Sequence, residues 1–160
     1  MIINGNIDLS GSDNLESLGK LKKVNGFLNL SVCDKLLDLG KLKIINGDLK
    51  FHYSYITTLQ NIKMIDGDCS LFNSIKLTSL GNLKKVSGML NLSHSLYLES
   101  FGDLEEVDGE FINIVYCKKL KDLGKLKLNK DLKIYHKGSG ITKKVINKKY
   151  KEFEECFINI

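Results

Sequence analysis

The 160-residue chain contains no proline, tryptophan, alanine or arginine. All four are encoded mainly by G+C-rich codons, so their joint absence, beside abundant Lys, Ile and Asn, points to an A+T-rich coding sequence. Lack of arginine also removes the side chain best suited to bidentate contacts with phosphates and base edges. No run approaches the roughly 18 apolar residues that a membrane-spanning helix needs, and the opening MIINGNIDLSGSDN has no basic stretch followed by an apolar one. These absences predict a cytoplasmic protein with no membrane partner. The four cysteines include no CxxC pair, which argues against a zinc site or a disulfide framework. Neither GxGxxG nor GxxxxGK occurs, so no phosphate-cradling loop is expected.

Glycine runs against the codon bias, with 14 copies, and its placement is periodic. Residues 17 to 31, SLGKLKKVNGFLNLS, match residues 79 to 93, SLGNLKKVSGMLNLS, at twelve of fifteen positions. One glycine series, Gly5, Gly26, Gly47, Gly67, Gly88 and Gly109, advances by 20 or 21 residues at each step. A second, Gly19, Gly40, Gly81, Gly102 and Gly124, keeps the same rhythm, with Gln60 in place of its third member. The repeat is VxGxLxLxxSxxLxxLGxLxx, and a fixed period of this length is the mark of a solenoid.

Within each repeat the GxLxLx segment alternates apolar and polar residues, which predicts a short strand with one buried face. Its inward pairs are Ile7 and Leu9, Leu28 and Leu30, Leu49 and Phe51, Cys69 and Leu71, Leu90 and Leu92, then Ile112 and Ile114. Leu132 and Ile134 are expected as the inward pair of a degenerate seventh strand. The LxxLGxL half fits neither a clean helix nor a clean strand and is read as a tight return path. Three residues past the second strand leucine stand Ser12, Cys33, Ser54, Ser74, Ser95 and Cys117, a pattern that predicts an inward ladder hydrogen-bonding buried turn backbone.

The string LKFHYSYI resembles the strand signature of leucine-rich repeats, LxLxx(N/C/T/S)xL, and LxxLGxLxxVxG is similar to the receptor L-domain form of that repeat. The resemblance covers about residues 3 to 136 and implies a right-handed, mainly β solenoid of about seven coils of about 21 residues, stacked into one parallel sheet. Here the ladder residue is Ser or Cys rather than Asn, and Cys69 and Gln60 break their columns. Beyond a solenoid domain over 1–136, residues 137–160 form a glycine-containing link and an amphipathic segment. Its apolar residues Ile146, Tyr150, Phe153, Phe157 and Ile160 follow helical spacing. This helix is expected to fold back as a C-terminal cap, with docking into a partner's groove as the alternative. At the other end Met1 and Ile2 alone precede the first coil, which leaves either a site for homodimerisation or a frayed but sufficient end.

Catalytic constellations are sparse. His52, His94 and His136 fall in different coils without metal-type spacing and are expected at the surface. Cys33 and Cys117 face inward four coils apart, too far for a shared Cys–His site. Glu105 and Glu106 lie outward on a return path. The chain is therefore read as a non-enzyme, with no cofactor, no metal and no catalytic residue.

Two outward surfaces remain as candidate binding sites. The strand face carries Phe27, His52, Tyr53, Phe72, Met89, His94, Phe111 and Tyr116, rings and apolar groups that folding does not require in solvent. In leucine-rich repeats this face is usually the ligand-binding surface. The second is a lysine column, Lys22, Lys43, Lys63, Lys84 and Lys127, interrupted by Glu105, whose like charges suit an anionic partner such as nucleic acid. Against that, residues 1–136 hold 18 lysines and 16 acidic residues, and a solubilising role also fits the column. The favoured reading is recognition of another protein through the strand face. A specific form of it is inhibition of a host or defence enzyme, since small A+T-rich repeat proteins of this kind are similar to ones carried by bacteria, phages and large viruses. Nucleic-acid binding and a self-assembling structural role are the alternatives.

Overall fold

Leucine columns stack because each coil ends where the next begins, one strand spacing higher. The computed structural model describes all residues 1–160. Each coil contributes two short strands, in chain order β1 (Ile2–Asn4) and β2 (Ile7–Asp8), β3 (Lys23–Asn25) and β4 (Leu28–Asn29), β5 (Ile44–Ile45) and β6 (Leu49–Lys50), β7 (Met64–Ile65) and β8 (Cys69–Ser70), β9 (Lys85–Val86) and β10 (Leu90–Asn91), β11 (Glu106–Val107) and β12 (Phe111–Asn113). Two more, β13 (Lys133–Tyr135) and β14 (Phe157–Ile158), close the chain. The result is a mainly β parallel solenoid of about seven coils.

Two parallel sheets run along it, where the repeat resemblance implies one. The six GxLxLx strands, extended by β13 and β14, form the eight-stranded sheet β14-β13-β12-β10-β8-β6-β4-β2, and the residues before each first-series glycine form the six-stranded sheet β1-β3-β5-β7-β9-β11. Register superimposes equivalent residues: Ile7, Leu28, Leu49, Cys69, Leu90, Ile112 and Ile134 share one line, and Ile3, Val24, Ile45, Ile65, Val86 and Val107 share another. The return segment is tied by isolated parallel bridges, Ser17 to Asp38 and Thr58 to Ser79 to Ser100. The interior is one continuous apolar cluster, from Leu18 to Ile146. At the first coil Ile3, Ile7, Leu9 and Leu15 are only half-buried, and Met1 and Ile2 are exposed.

The two glycine series answer different demands. At Gly47 a Cβ would sit 2.6 Å from the backbone carbon of Gly26 one coil away, so the first series permits close stacking of turns. Gly40 turns with φ at 58°, in the left-handed region, and a Cβ there would also meet the Gly19 carbonyl. Gln60 holds the same turn with φ at 49° despite its side chain. That side chain compensates: its Oε1 accepts from the Leu39 N–H at 2.9 Å and its Nε2 donates to the Leu37 carbonyl at 2.7 Å.

The inward Ser/Cys ladder is present. The thiols of Cys33 and Cys117 donate to the carbonyls of Leu9 and Leu92, both at 3.1 Å, and the hydroxyls of Ser74 and Ser95 donate to Phe51 and Leu71 at 3.2 and 3.3 Å. Ser54 donates instead to Ser74 Oγ at 3.0 Å. Burial pushes the Cys117 thiol up to about 12, and that of Cys69 further still, which disfavours the thiolate form of both.

The C-terminal end departs from a single helix. A short helix α1 (Lys143–Lys149) breaks at Tyr150, where φ reaches −132°, and a 3-10 turn over Lys151–Cys156 leads into β14. Pairing Phe157 and Ile158 with the open edge of β13 satisfies backbone groups that a longer helix would leave bare. The segment packs on the last coil: Ile146 and Cys156 are buried, the Tyr150 hydroxyl accepts the Leu123 N–H at 2.7 Å, and Lys149 meets Asp122 at 2.8 Å. Ile160 is outside this packing, 69% exposed. His136, expected at the surface, is 9% exposed. Register places Ile134 over Ile112, which puts His136 in the inward column of Ile114, while Leu132 lies before the strand. Gly138, with φ at 67°, and Ser139 continue the repeat beyond 136.

Candidate protein-docking corner

The eight-stranded sheet turns into the return segment through one residue per coil, and that residue is left-handed in every coil. Gly11 and Gly138 occupy the outermost positions, with φ of 68° and 67°. Between them stand Val32, Tyr53, Asn73, His94 and Tyr116, with φ of 57°, 54°, 55°, 63° and 60°. Only Asn among these five pairs ready tolerance of that conformation with a small side chain, and for a β-branched or bulky residue it is an outlier. The neighbouring outward column of the strand holds Ser31, His52, Phe72, Ser93 and Val115.

Five of the eight predicted strand-face residues converge here. Phe72 sits edge-on to Tyr53 and His94 with ring centroids at 5.5 and 5.3 Å, His94 lies 4.9 Å from Tyr116, and His52 is 6.2 Å from Phe72. Tyr53 and Tyr116 remain exposed, at 50% and 39%. His52 donates or accepts through Nε2 at 2.7 Å from Ser70 Oγ, and burial, aided by Lys50, holds its imidazole below the ordinary range. The His94 Nδ1 is enclosed without any hydrogen-bond partner. Such an orphan costs roughly 1–3 kcal/mol, which folding would not select.

Phe27, Met89 and Phe111 do not join the cluster. They occupy the opposite end of the strands, half-buried, where Asp48 and Asp68 separate Phe27 from Met89, and Phe111 pairs with Tyr135 at 5.7 Å. Sequence reasoning instead missed a continuation around the corner. Tyr55, Leu96 and Tyr97 are 40%, 38% and 48% exposed, and Tyr53, Tyr55, Asn73 and Ile75 enclose a shallow cavity of about 110 Å³. Lys119 stands 4.5 Å over the Tyr97 ring. The signal was in the residue after the ladder position, where Tyr55, Ile75 and Leu96 replace the Asp13, Asp34 and Lys118 of other coils.

The lysine column is real but shorter than expected. Lys22, Lys43, Lys63 and Lys84 are exposed, and their backbones form a ladder with N–H to carbonyl distances of 3.0, 2.8 and 2.9 Å. Lys127 is set apart by Glu105 and paired with Glu105 and Glu106 at 3.5 and 3.6 Å. At the C-terminal end Ser139 Oγ accepts the Ile141 N–H at 3.1 Å, and His136 lies against the Phe157 ring. No group of three or more His, Cys, Asp or Glu side chains is placed to hold a metal ion. No helix is long and apolar enough to cross a membrane. Comparison with models of known families, with curated proteins and with solved structures finds no match to this chain.

Proposed function

We propose that the chain is a non-enzymatic protein-binding solenoid that docks a partner protein on the corner formed by Tyr53, Phe72, His94 and Tyr116, extended by Tyr55 and Tyr97. One observation carries this reading: five consecutive coils hold non-glycine residues in the left-handed turn and array three rings there, while the terminal coils make the same turn with glycine. Left-handed backbone costs an L-residue roughly 1–2 kcal/mol, so folding alone favours Gly or Asn at these positions. Strain of this kind gathers where a site needs a particular side chain. Exposed aromatic side chains are the groups that interfaces enrich and that dominate their energetics.

A narrower form of the reading makes the partner an enzyme whose site the corner covers, so that the chain is an inhibitor. Kinship with leucine-rich repeats, supported by the LxLxx(S/C) strand motif and the shared leucine line, belongs to the same reading. So does a cytoplasmic setting, for which four free thiols are suited. The test compares partner capture from the source cell by the native chain and by Tyr53→Asn/Phe72→Ser/Tyr116→Asn. A protein captured by the first and lost from the second at unchanged circular dichroism supports docking at the corner. Equal capture refutes it, and a doubled mass by light scattering with no other protein bound reassigns the surface to self-assembly.

A further inference from the structure

We infer that the return edge of the first four coils is a second, independent binding site, for the phosphodiester backbone of duplex nucleic acid. Three outward columns meet at this edge: the residue after each second-series turn, the lysine column two residues on, and the outward residue of the six-stranded sheet. In the first four coils they hold Lys20, Lys22 and Lys23; Lys41, Lys43 and Ile44; Asn61, Lys63 and Met64; then Asn82, Lys84 and Lys85. Eight of these twelve positions are lysine and none is acidic.

In the next coil the same columns read Asp103, Glu105 and Glu106, and each of the three carboxylates meets a lysine. Lys85 is drawn into that network at 3.3 Å from Glu106 and 2.8 Å from Asp108. The other seven lysines of the basic stretch have no carboxylate within 4.0 Å. Charge along one edge is therefore sorted into an unpaired basic block and a neutralised block. A solubilising surface has no need of that sorting, because interspersed signs serve it as well.

Adjacent lysines of a column rise by about 4.8 Å per coil, so neighbouring like charges repel one another. An anionic polymer laid along the edge removes that repulsion and releases its own counterions. Four coils span about 14 Å, and a duplex presents about four phosphates of one strand over that length. Four lysines in the central column match that count, with Lys20, Lys23 and Lys41 beside them. The edge offers no arginine and no projecting element to enter a groove, so recognition is of the backbone and independent of base sequence. The aromatic corner lies at the far end of the return segment, so the two sites act separately.

The test is fluorescence anisotropy with a labelled duplex DNA of about 20 base pairs at 50, 100 and 200 mM NaCl. Four phosphate contacts give a log–log salt slope near −3.6, or about a 150-fold loss of affinity between 50 and 200 mM. Binding is expected to be equal for a duplex of scrambled sequence. Lys22→Gln/Lys43→Gln/Lys63→Gln/Lys84→Gln should lower affinity at 50 mM at least tenfold and flatten the slope, and Lys43→Glu/Lys84→Glu should do so independently. Lys143→Gln/Lys144→Gln, on α1 beyond the last coil, should leave both unchanged. The inference is overturned by no binding at 50 mM, by a slope shallower than about −1, by native-like binding of either edge variant, or by equally tight binding of poly-glutamate, which would make an acidic protein the occupant.

Discussion

Ser74 is the best place to weigh the buried polar ladder, because one atom there serves two bonds. Its Oγ donates to the Phe51 carbonyl at 3.2 Å and accepts from Ser54 Oγ at 3.0 Å, and both serines are fully buried. Ser74→Ala removes one oxygen, too little to leave a cavity of consequence, so the whole effect is polar. Each lost bond is worth about 1 kcal/mol, and the Ser54 hydroxyl is left buried without an acceptor, which raises the total to about 2–3 kcal/mol. Ser74→Cys should cost less than about 1 kcal/mol, since Cys33 and Cys117 make the equivalent bond to a carbonyl at 3.1 Å. Ser54→Ala/Ser74→Ala removes the orphan along with its partner, so the double variant should be at least about 0.5 kcal/mol milder than the sum of the single ones. Urea unfolding followed by far-ultraviolet circular dichroism at 25 °C measures all four, with an unchanged m value as the check that the same surface unfolds. If Ser74→Ala falls within about 0.5 kcal/mol of the native chain, or if Ser74→Cys is as damaging as Ala, the ladder is not a source of stability and its small polar residues need another reason.

Two further outcomes test neighbouring steps. Gln60→Ala should destabilise by about 2 kcal/mol through the unpaired Leu39 N–H, and Gln60→Gly should recover about 0.5–1 kcal/mol of that by relaxing the left-handed turn; the same unfolding assay reads both. Burial holds His136 below its ordinary value near 6.5, so the unfolded chain takes up a proton that the folded chain refuses. Stability is then full above about pH 6.5 and falls as pH drops below it. His136→Leu should flatten the decline in melting temperature between pH 7.5 and 5.5, leaving the part of the slope due to His52; an unaltered slope would contradict the inward placement of His136.

The solenoid was legible because stacking writes itself into identity: a leucine lying on a leucine, or a serine donating to the coil beside it, recurs at the coil period. The six-stranded sheet was not, because strands of two or three residues such as Lys23–Asn25 and Ile44–Ile45 are too short to show alternation. Helical spacing of Ile146, Tyr150, Phe153 and Phe157 suggested one long helix, but spacing within a segment says nothing of the open edge of β13 that recruits Phe157 and Ile158. Phe27 and Tyr53 looked equivalent as outward aromatics, and only the backbone separates them. Val, Tyr and His carry no mark of left-handed φ, and the glycines that flank the column, Gly11 and Gly138, lie outside the two periodic series that drew attention.

Site-specific photocrosslinking tests the docking corner most directly. A benzophenone side chain placed at Tyr53, and separately at Tyr116, should form an adduct with a partner protein in the source cell, while the same group at Asn46, outward beside the six-stranded sheet, should form none. Adducts from Asn46 with none from Tyr53 or Tyr116 would contradict the assignment of the binding surface.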